Sequence, residues 1–266
     1  MKKVATVTLA SLFCLAGLVS AQGQDSLNLR HIQMADNKRL HFVRVSLQLY
    51  DVRILSPLVT FNTDGSARRV SGNPERAVRG VYLQEYMTRF GAHAVGSGGY
   101  IDSYSPPSSL GLVKSGGVML GSEHNSWLTE AIFCSDQGKA TIALAKSSSV
   151  SSEFRDCVQA GPLLLQNGKV PSELPSHKSS GYLKLAASVQ EQMFICIDSK
   201  QQLLLGITDK IDIPTLTATL TKPEVGCSNA IRLTGQDTAG LRTKDNLYGN
   251  DDYLFPNAIG VIRRTD

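Results

Sequence analysis

The sequence lacks the motifs that identify several common enzyme classes. It contains no Gly-x-Ser-x-Gly nucleophile elbow, no phosphate-binding P-loop, no His-Glu-x-x-His pair and no dinucleotide fingerprint. Its 5 histidines are scattered, and no two of them have the spacing of metal ligands. The sequence therefore gives no support for a serine hydrolase of the elbow type, a nucleotide-binding enzyme or a zinc peptidase. It predicts no cofactor and no metal.

A strong excess of charge of one sign is also missing. The formal net charge is +4, and it becomes +2 without the first 21 residues, which carry two lysines and no acidic residue. Basic residues occur as short pairs such as Arg68-Arg69 and Arg263-Arg264. A nearly neutral surface gives no reason to expect a nucleic-acid partner. No internal repeat and no linker divides the chain, and its length suits one domain.

Residues 1–21 have the three parts of a cleavable signal peptide: two lysines, an apolar stretch, and small residues up to Ala21. The alternative is an uncleaved anchor, but a spanning helix needs about 20 apolar residues, and this stretch is shorter. We therefore expect cleavage before Gln22 and a single domain over residues 22–266. The mature protein is expected to be periplasmic or secreted and to have no membrane span. The sequence does not define its oligomeric state.

Four cysteines follow the predicted signal peptide, at positions 134, 157, 196 and 227. An exported protein reaches an oxidising compartment in which disulfides persist. Four cysteines allow three pairings, and the sequence does not choose among them. Buried free thiols are the alternative, because a domain of this size does not need disulfides to fold.

The pattern of apolar residues predicts an α+β fold, with a single strand-rich sheet and two or three helices packed on it. Residues 22–36 are polar and predict a loosely ordered leader, and residues 62–79 predict a loop. The predicted helices cover residues 81–90, with Gly91 as C-cap, and Ile213 to Leu220. Asn167-Gly168 predicts a type I′ hairpin turn. A second hairpin is predicted between residues 193–197 and 203–205.

Three glycine-containing segments stand out after the first predicted helix. Gly98-Gly99 follows a predicted strand, Gly161-Pro162 opens the hairpin that ends in Asn167-Gly168-Lys169, and Thr234-Gly235 ends an apolar strand. Paired glycines after a strand allow close approach of a ligand or of another chain segment, although a tight turn is the simpler explanation. Loops at strand ends are frequent sites of function.

In this order and spacing, the three segments resemble the phosphodiester glycosidase family. That family includes a lysosomal enzyme that removes N-acetylglucosamine from a sugar phosphodiester. The resemblance covers about residues 78–263 and implies that the three segments meet at one end of a sheet. Polar positions of the family pattern differ here: Ser97 replaces an Asn, Ala186-Ala187-Ser188 lies where an Arg is usual, and Thr234-Gly235-Gln236 replaces Asp-Gly-Gly.

The resemblance implies a hydrolase acting on a sugar phosphodiester or a related cell-envelope glycan linkage. Such chemistry needs a carboxylate near the anomeric carbon and cationic or N–H donors around the phosphate. The expected catalytic residues are Asp237 and Asp102. The expected substrate-binding residues are Gly98, Gly99, Gly161, Lys169, Arg232, Thr234 and Gly235.

Two other functions fit the same residues. Because the departures from the family pattern fall on polar positions, a non-catalytic relative that binds an envelope glycan or another exported protein is the main alternative. An accessory factor for colonisation or secretion, with no small-molecule site, is the third hypothesis. An acidic pocket that joins Asp237 or Asp102 with the glycines would favour the enzyme.

Overall fold

A computed structural model describes residues 27, 29–70, 79–147 and 149–264. The predicted signal peptide, the predicted N-terminus at Gln22 and the first part of the predicted leader lie outside these residues. Within the described part of the chain, no helix is long and apolar enough to span a membrane.

Strands form most of the regular secondary structure of the described residues. The strands are β1 (Leu29–Gln33), β2 (Arg39–Val45), β3 (Tyr50–Leu55), β4 (Val59–Phe61), β5 (Ala67–Arg69), β6 (Ala94–Ser97), β7 (Ile101–Tyr104), β8 (Pro107–Ser109), β9 (Val113–Ser115), β10 (Val118–Met119), β11 (Ala131–Asp136), β12 (Lys139–Leu144), β13 (Asp156–Ala160), β14 (Leu163–Leu165), β15 (Gln192–Asp198), β16 (Leu203–Thr208), β17 (Cys227–Gly235), β18 (Gly240–Thr243), β19 (Leu247–Gly249) and β20 (Ala258–Arg263). The α-helices are α1 (Leu83–Phe90), α2 (Val150–Glu153), α3 (Ser180–Ala186) and α4 (Ile213–Leu220). Short 3₁₀ turns cover Ala35–Asn37, Trp127–Thr129, Ala145–Ser147, Pro175–Lys178 and Gln236–Thr238.

The described strands form three main antiparallel sheets rather than the single sheet that we expected. Sheet A has the order β1-β2-β16-β15-β17-β14, sheet B the order β10-β9-β13-β11-β12, and sheet C the order β19-β18-β6-β20-β3. Two small ribbons, β4-β5 and β7-β8, lie outside them. The α+β class therefore holds, but the single-sheet prediction is wrong. Strands β15 and β16 are buried at every position, because both faces of sheet A are covered.

The main hydrophobic core joins the three sheets. Ile195 of sheet A, Phe133 of sheet B and Ile259 of sheet C belong to the same buried cluster. On its other face, sheet A packs against α3 and α4, where Phe194 and Leu216 share a second cluster. Helix α1 covers sheet C in a third cluster. The helices thus lie on outer faces, and the sheets enclose the centre.

Strong local signals predicted their elements well. Helix α1 begins two residues later than predicted, and it ends at Gly91 with a left-handed φ of 62°. Helix α4 has the predicted bounds, with the Asp212 side chain accepting a hydrogen bond from the Thr215 amide as N-cap. Both turn residues of the first hairpin have positive φ, 52° at Asn167 and 75° at Gly168, as a type I′ turn requires. The second hairpin is formed by β15 and β16.

Weak local signals misled the prediction in two places. Within the predicted leader, Leu29–Gln33 is a strand that pairs with β2 at the edge of sheet A. Within the predicted loop, Ala67–Arg69 pairs with β4. Edge strands are held by backbone hydrogen bonds along one side, so they tolerate polar sequences that do not alternate clearly.

Both possible disulfides are present. Cys134 bonds Cys157, and Cys196 bonds Cys227. The first pair joins β11 to β13 at directly opposite positions in sheet B. The second joins β15 to the start of β17 in sheet A. Strand register, which the sequence does not reveal, selected this pairing among the three.

Candidate functional site

The three glycine segments meet where sheets A, B and C adjoin. The Tyr100 hydroxyl donates a hydrogen bond of 2.8 Å to the Gly161 carbonyl and accepts one from the Arg232 guanidinium. The Ser97 hydroxyl accepts a hydrogen bond of 3.2 Å from the Gly240 amide. The predicted convergence is therefore found, but at a junction of sheets rather than at one end of a single sheet.

The paired glycines are needed because the chain contacts itself there. A Cβ on Gly98 would overlap the side-chain oxygen of Asn257, and one on Gly99 would lie 2.8 Å from the Gln159 carbonyl oxygen. Asn257 is buried, and its Oδ1 accepts a hydrogen bond of 3.2 Å from the Gly99 amide. The Gly99 amide is therefore already hydrogen-bonded within the protein and is not available to a ligand. Sequence reasoning assigned no role to Asn257, which lies 158 residues from Gly99.

Arg232 is the central residue of the junction. It is 1% exposed, and its Nε donates a hydrogen bond of 2.5 Å to Gln192 Oε1. Its Nη1 donates to Tyr100. Gly235 passes so close to the guanidinium that a Cβ at this position would overlap it. Local sequence predicted Arg232 as a phosphate contact, but it did not predict that the side chain is buried or that Gln192 and Tyr100 hold it.

The charge of Arg232 has only neutral hydrogen-bond partners among the described residues. No described carboxylate lies within 4.0 Å of its guanidinium. A buried charge is costly unless it is paired and hydrogen-bonded. This position therefore carries an uncompensated positive potential, which favours a nearby anion.

Tyr100 stays protonated at neutral pH. Burial raises the pKa of its phenol, and the charge of Arg232 only partly opposes this effect. A neutral phenol can accept from Arg232 and donate to Gly161 at the same time. Tyr100, which follows Gly99, thus links the first segment to the other two through one oxygen atom.

The two predicted carboxylates lie at the surface. Asp237 occupies the 3₁₀ turn after β17 and is exposed, as is Asp102 on β7. Burial raises the pKa of Tyr104, and Tyr253 and Asp237 contribute to the same shift, which places Asp237 near the β7–β8 ribbon. The exposed end of the junction therefore carries acidic groups, whereas its buried centre is cationic.

Thr234 and Gly235 shape the turn that presents Asp237. Thr234 is buried, and its hydroxyl bonds that of Thr238 at 2.5 Å. The Thr238 hydroxyl also donates to the Gly235 carbonyl at 2.9 Å. Two side chains thereby fix the backbone on either side of Asp237.

Lys169 is not brought to the junction. The neighbouring Gly168 amide donates to the Ser228 carbonyl, near the first residue of β17. Gly235 ends the same strand, and at about 3.3 Å per residue the two positions are roughly 20 Å apart. Of the predicted substrate-binding residues, Gly98, Gly99, Gly161, Arg232, Thr234 and Gly235 share the junction, and Lys169 lies at the opposite end of β17.

Comparison with solved structures supports the same fold. The catalytic domain of zebrafish N-acetylglucosamine-1-phosphodiester alpha-N-acetylglucosaminidase, auto-inhibited by its pro-peptide, has a TM-score of 0.64 and 15% identity, and the match covers 90% of this chain and 83% of that one. A hypothetical protein from Synechocystis has a TM-score of 0.64 and 13% identity, over 89% and 61% of the two chains. A protein from Burkholderia pseudomallei K96243 described as exported has a TM-score of 0.58 and 9% identity, over 85% and 74%.

Sequence comparison identifies the family. No curated protein matches this sequence as a relative. The phosphodiester glycosidase family, in contrast, matches residues 90–262, which include all three glycine segments. The chain therefore belongs to the phosphodiester glycosidase family.

Proposed function

We propose that the protein is an exported hydrolase that cleaves a sugar phosphodiester or a related cell-envelope glycan linkage. The observation that supports this most directly is Arg232, a buried cation at the junction of the three glycine segments without a described carboxylate partner. A leaving phosphate accumulates negative charge, and a fixed cation in a poorly solvated position stabilises it. The family match and the fold similarity to the zebrafish catalytic domain agree with this substrate class.

In this proposal, Asp237 and Arg232 stabilise the two opposite charges that develop on the substrate as its bond breaks. The sugar develops oxocarbenium character as the bond to phosphate breaks, and the Asp237 carboxylate stabilises that positive charge. Arg232 stabilises the departing phosphate through the positive potential of its buried guanidinium. Asp102 is the second exposed carboxylate near the junction. The Gly99 amide does not take part, because Asn257 already accepts its hydrogen bond.

A non-catalytic glycan-binding protein is the second candidate. Its support is that Asp102 and Asp237 are exposed, whereas Arg232 is enclosed by Gln192 and Tyr100. A carboxylate surrounded by water stabilises a developing cation much less than one in a dry site. This candidate retains the fold and the junction and assigns them to binding.

A hydrolysis screen separates the two candidates. The exported form is incubated with sugar-1-phosphodiesters and envelope glycans, and product release is compared with a buffer-only rate. Turnover above that rate supports the hydrolase. Saturable glycan binding without any turnover supports the second candidate and contradicts the first.

Asp237→Asn tests the proposed role of the carboxylate. The substitution keeps the size and removes the charge, so if bound substrate excludes water from Asp237 we expect turnover to fall by about two to three powers of ten. Asp237 lies in an exposed turn, so the melting temperature should change little, with a stability effect below about 0.5 kcal/mol. Asp245→Asn is the matched control, because Asp245 is also an exposed loop aspartate, and it should keep full activity. Full activity in Asp237→Asn would show that Asp237 is not the carboxylate used.

Export is tested by the N-terminus of the secreted protein. Mass spectrometry should find Gln22 as the first residue, in free or cyclised form. Recovery of Met1 on exported protein would contradict cleavage of the signal peptide.

A further inference from the structure

A separate cavity of about 590 Å³ lies beside the junction, and we name it the Trp127 cavity. Its walls include Trp127, His124, Asn125, Lys146, Glu130 and Ser179. Arg232, Asp102 and Asp237 do not line it. The volume is within the range of about 300–1,000 Å³ that is typical of small-molecule sites.

The Trp127 cavity and the junction share the Gly161 segment. The Trp127 carbonyl lies so close to Gly161 that a Cβ there would be 2.8 Å from it. The Gly161 carbonyl accepts the hydrogen bond of Tyr100, which also contacts Arg232. The Gly161 segment would therefore be the part of the chain that separates a ligand in the cavity from the proposed phosphate site.

The Glu130 carboxylate fixes the wall of the cavity. Its Oε1 accepts a hydrogen bond of 2.9 Å from the Leu163 amide and contacts His177 Nε2 at 3.0 Å. Its Oε2 contacts the Ser176 hydroxyl. The Glu130 side chain is 10% exposed, so these partners hold it in place. A carboxylate held by three partners is pre-organised, so this part of the wall loses little entropy when a ligand binds.

Trp127 is the aromatic residue in the lining of the cavity. It is the only tryptophan of the chain, and it is half-buried. Its indole rests against Gly181 of α3, where a Cβ would lie 2.8 Å from Nε1 and 3.0 Å from Cε2. The absence of a side chain at Gly181 thus allows the ring to occupy this position. An indole combines a broad apolar face with an N–H group, which suits a ligand that has both apolar and hydroxylated surfaces.

The charge of the lining excludes a phosphate as the preferred ligand. Lys146 is accompanied by Glu123 and Glu130, so the lining offers no excess of positive charge. Asn125, Ser126 and Ser179 instead add neutral groups that donate and accept hydrogen bonds. An uncharged sugar ring has the matching chemistry, because its C–H face stacks on an aromatic ring and its hydroxyls bond amides and hydroxyls.

We propose that the Trp127 cavity binds an uncharged pyranose unit of an oligosaccharide. This site is distinct from the proposed phosphate site, and its occupancy does not require hydrolysis. Within a longer glycan, it would hold a sugar adjacent to the unit at the junction.

Trp127 itself reports binding. The mature protein is titrated with chitobiose, maltose and cellobiose, and the indole emission is followed, with glycerol as a control for solvent effects. We expect a saturable change with at least one disaccharide and no saturation with glycerol. If none of the three saturates, and calorimetry also detects no binding, the proposal is wrong. Because these sugars carry no phosphodiester, the result is independent of the hydrolase proposal.

Two pairs of variants locate the site, with affinity measured by calorimetry so that the indole is not needed as a probe. Trp127→Ala should raise Kd by about tenfold, and Trp127→Phe, which keeps a ring, by less. Lys146→Ala should weaken binding by a few-fold, whereas Lys139→Ala, at the other end of β12, should not. Circular dichroism checks that each variant is folded. Unchanged affinity in folded Trp127→Ala would overturn the proposal, as would unchanged affinity in folded Lys146→Ala.

Discussion

The contact between Gly98 and Asn257 makes a sharp prediction about the junction. In Gly98→Ala, the added Cβ would overlap Asn257 Oδ1 and lie 2.7 Å from its Cγ. The Asn257 side chain must therefore move, and the Gly99 amide loses its acceptor. Overpacking typically costs about 1–3 kcal/mol, and an unsatisfied buried donor costs about 1–3 kcal/mol. We expect Gly98→Ala to lower the free energy of unfolding by about 2–6 kcal/mol, the combined range of these two effects.

A double-mutant cycle tests this reasoning. Asn257→Ala alone should cost about 1–3 kcal/mol, because it removes the acceptor of the Gly99 amide and a donor to Ser109. In the double variant the new Cβ at position 98 no longer overlaps an Asn257 side chain. The Gly99 amide loses its acceptor in each single variant, but the double variant incurs this cost only once. The double variant should therefore be more stable than the sum of the single effects predicts, by about 1–3 kcal/mol. The Asn257 carbonyl, 2.9 Å from the new Cβ, limits the rescue.

Urea unfolding followed by circular dichroism measures each free energy. Gly206→Ala is the control for the cycle, because its Cβ would overlap the Phe194 ring in sheet A, away from Asn257. Its effect should add to that of Asn257→Ala within about 0.5 kcal/mol. If the effects of Gly98→Ala and Asn257→Ala on the free energy of unfolding also add within this limit, the contact with Asn257 does not explain why glycine is required at position 98.

Two further predictions concern stability. Replacing both Cys196 and Cys227 by alanine opens a loop with a sequence separation of 31 and should lower the free energy of unfolding by about 3–4 kcal/mol; a loss below about 1 kcal/mol in urea unfolding would contradict this. Burial lowers the pKa of His41 from its ordinary 6.5, so the folded state disfavours its protonated form. The contribution of neutral His41 to the free energy of unfolding is fully present above pH 6.5. It is lost as the pH falls from this value toward the folded-state pKa, because the unfolded chain binds the proton first. His41→Gln should therefore reduce the loss of stability between about pH 7 and 5; an unchanged pH profile in His41→Gln would show that His41 is not the group responsible.

The sequence by itself determined the elements whose physical cause is local. Helix α4 and the turn at Asn167-Gly168 depend on an N-cap, a periodic apolar face and residues that tolerate positive φ, and all of these lie within a few positions. The family resemblance likewise rests on glycines whose order along the chain is visible in the sequence, and the match over residues 90–262 confirms it. The roles of Asp102, Asp237 and the substrate-binding residues remain predictions.

Only the tertiary structure decided how these elements meet. The alternation of apolar residues identifies a strand but not its partners, so it could not separate one sheet from three or select Cys134–Cys157 among the possible pairs. Arg232 and Tyr100 are 132 residues apart, and no local pattern records their contact. For the same reason Lys169, close in sequence to Gly161, lies at the far end of β17. Chemical type can be read from single residues, but burial and convergence depend on long-range packing, and these decide which of the residues can act together.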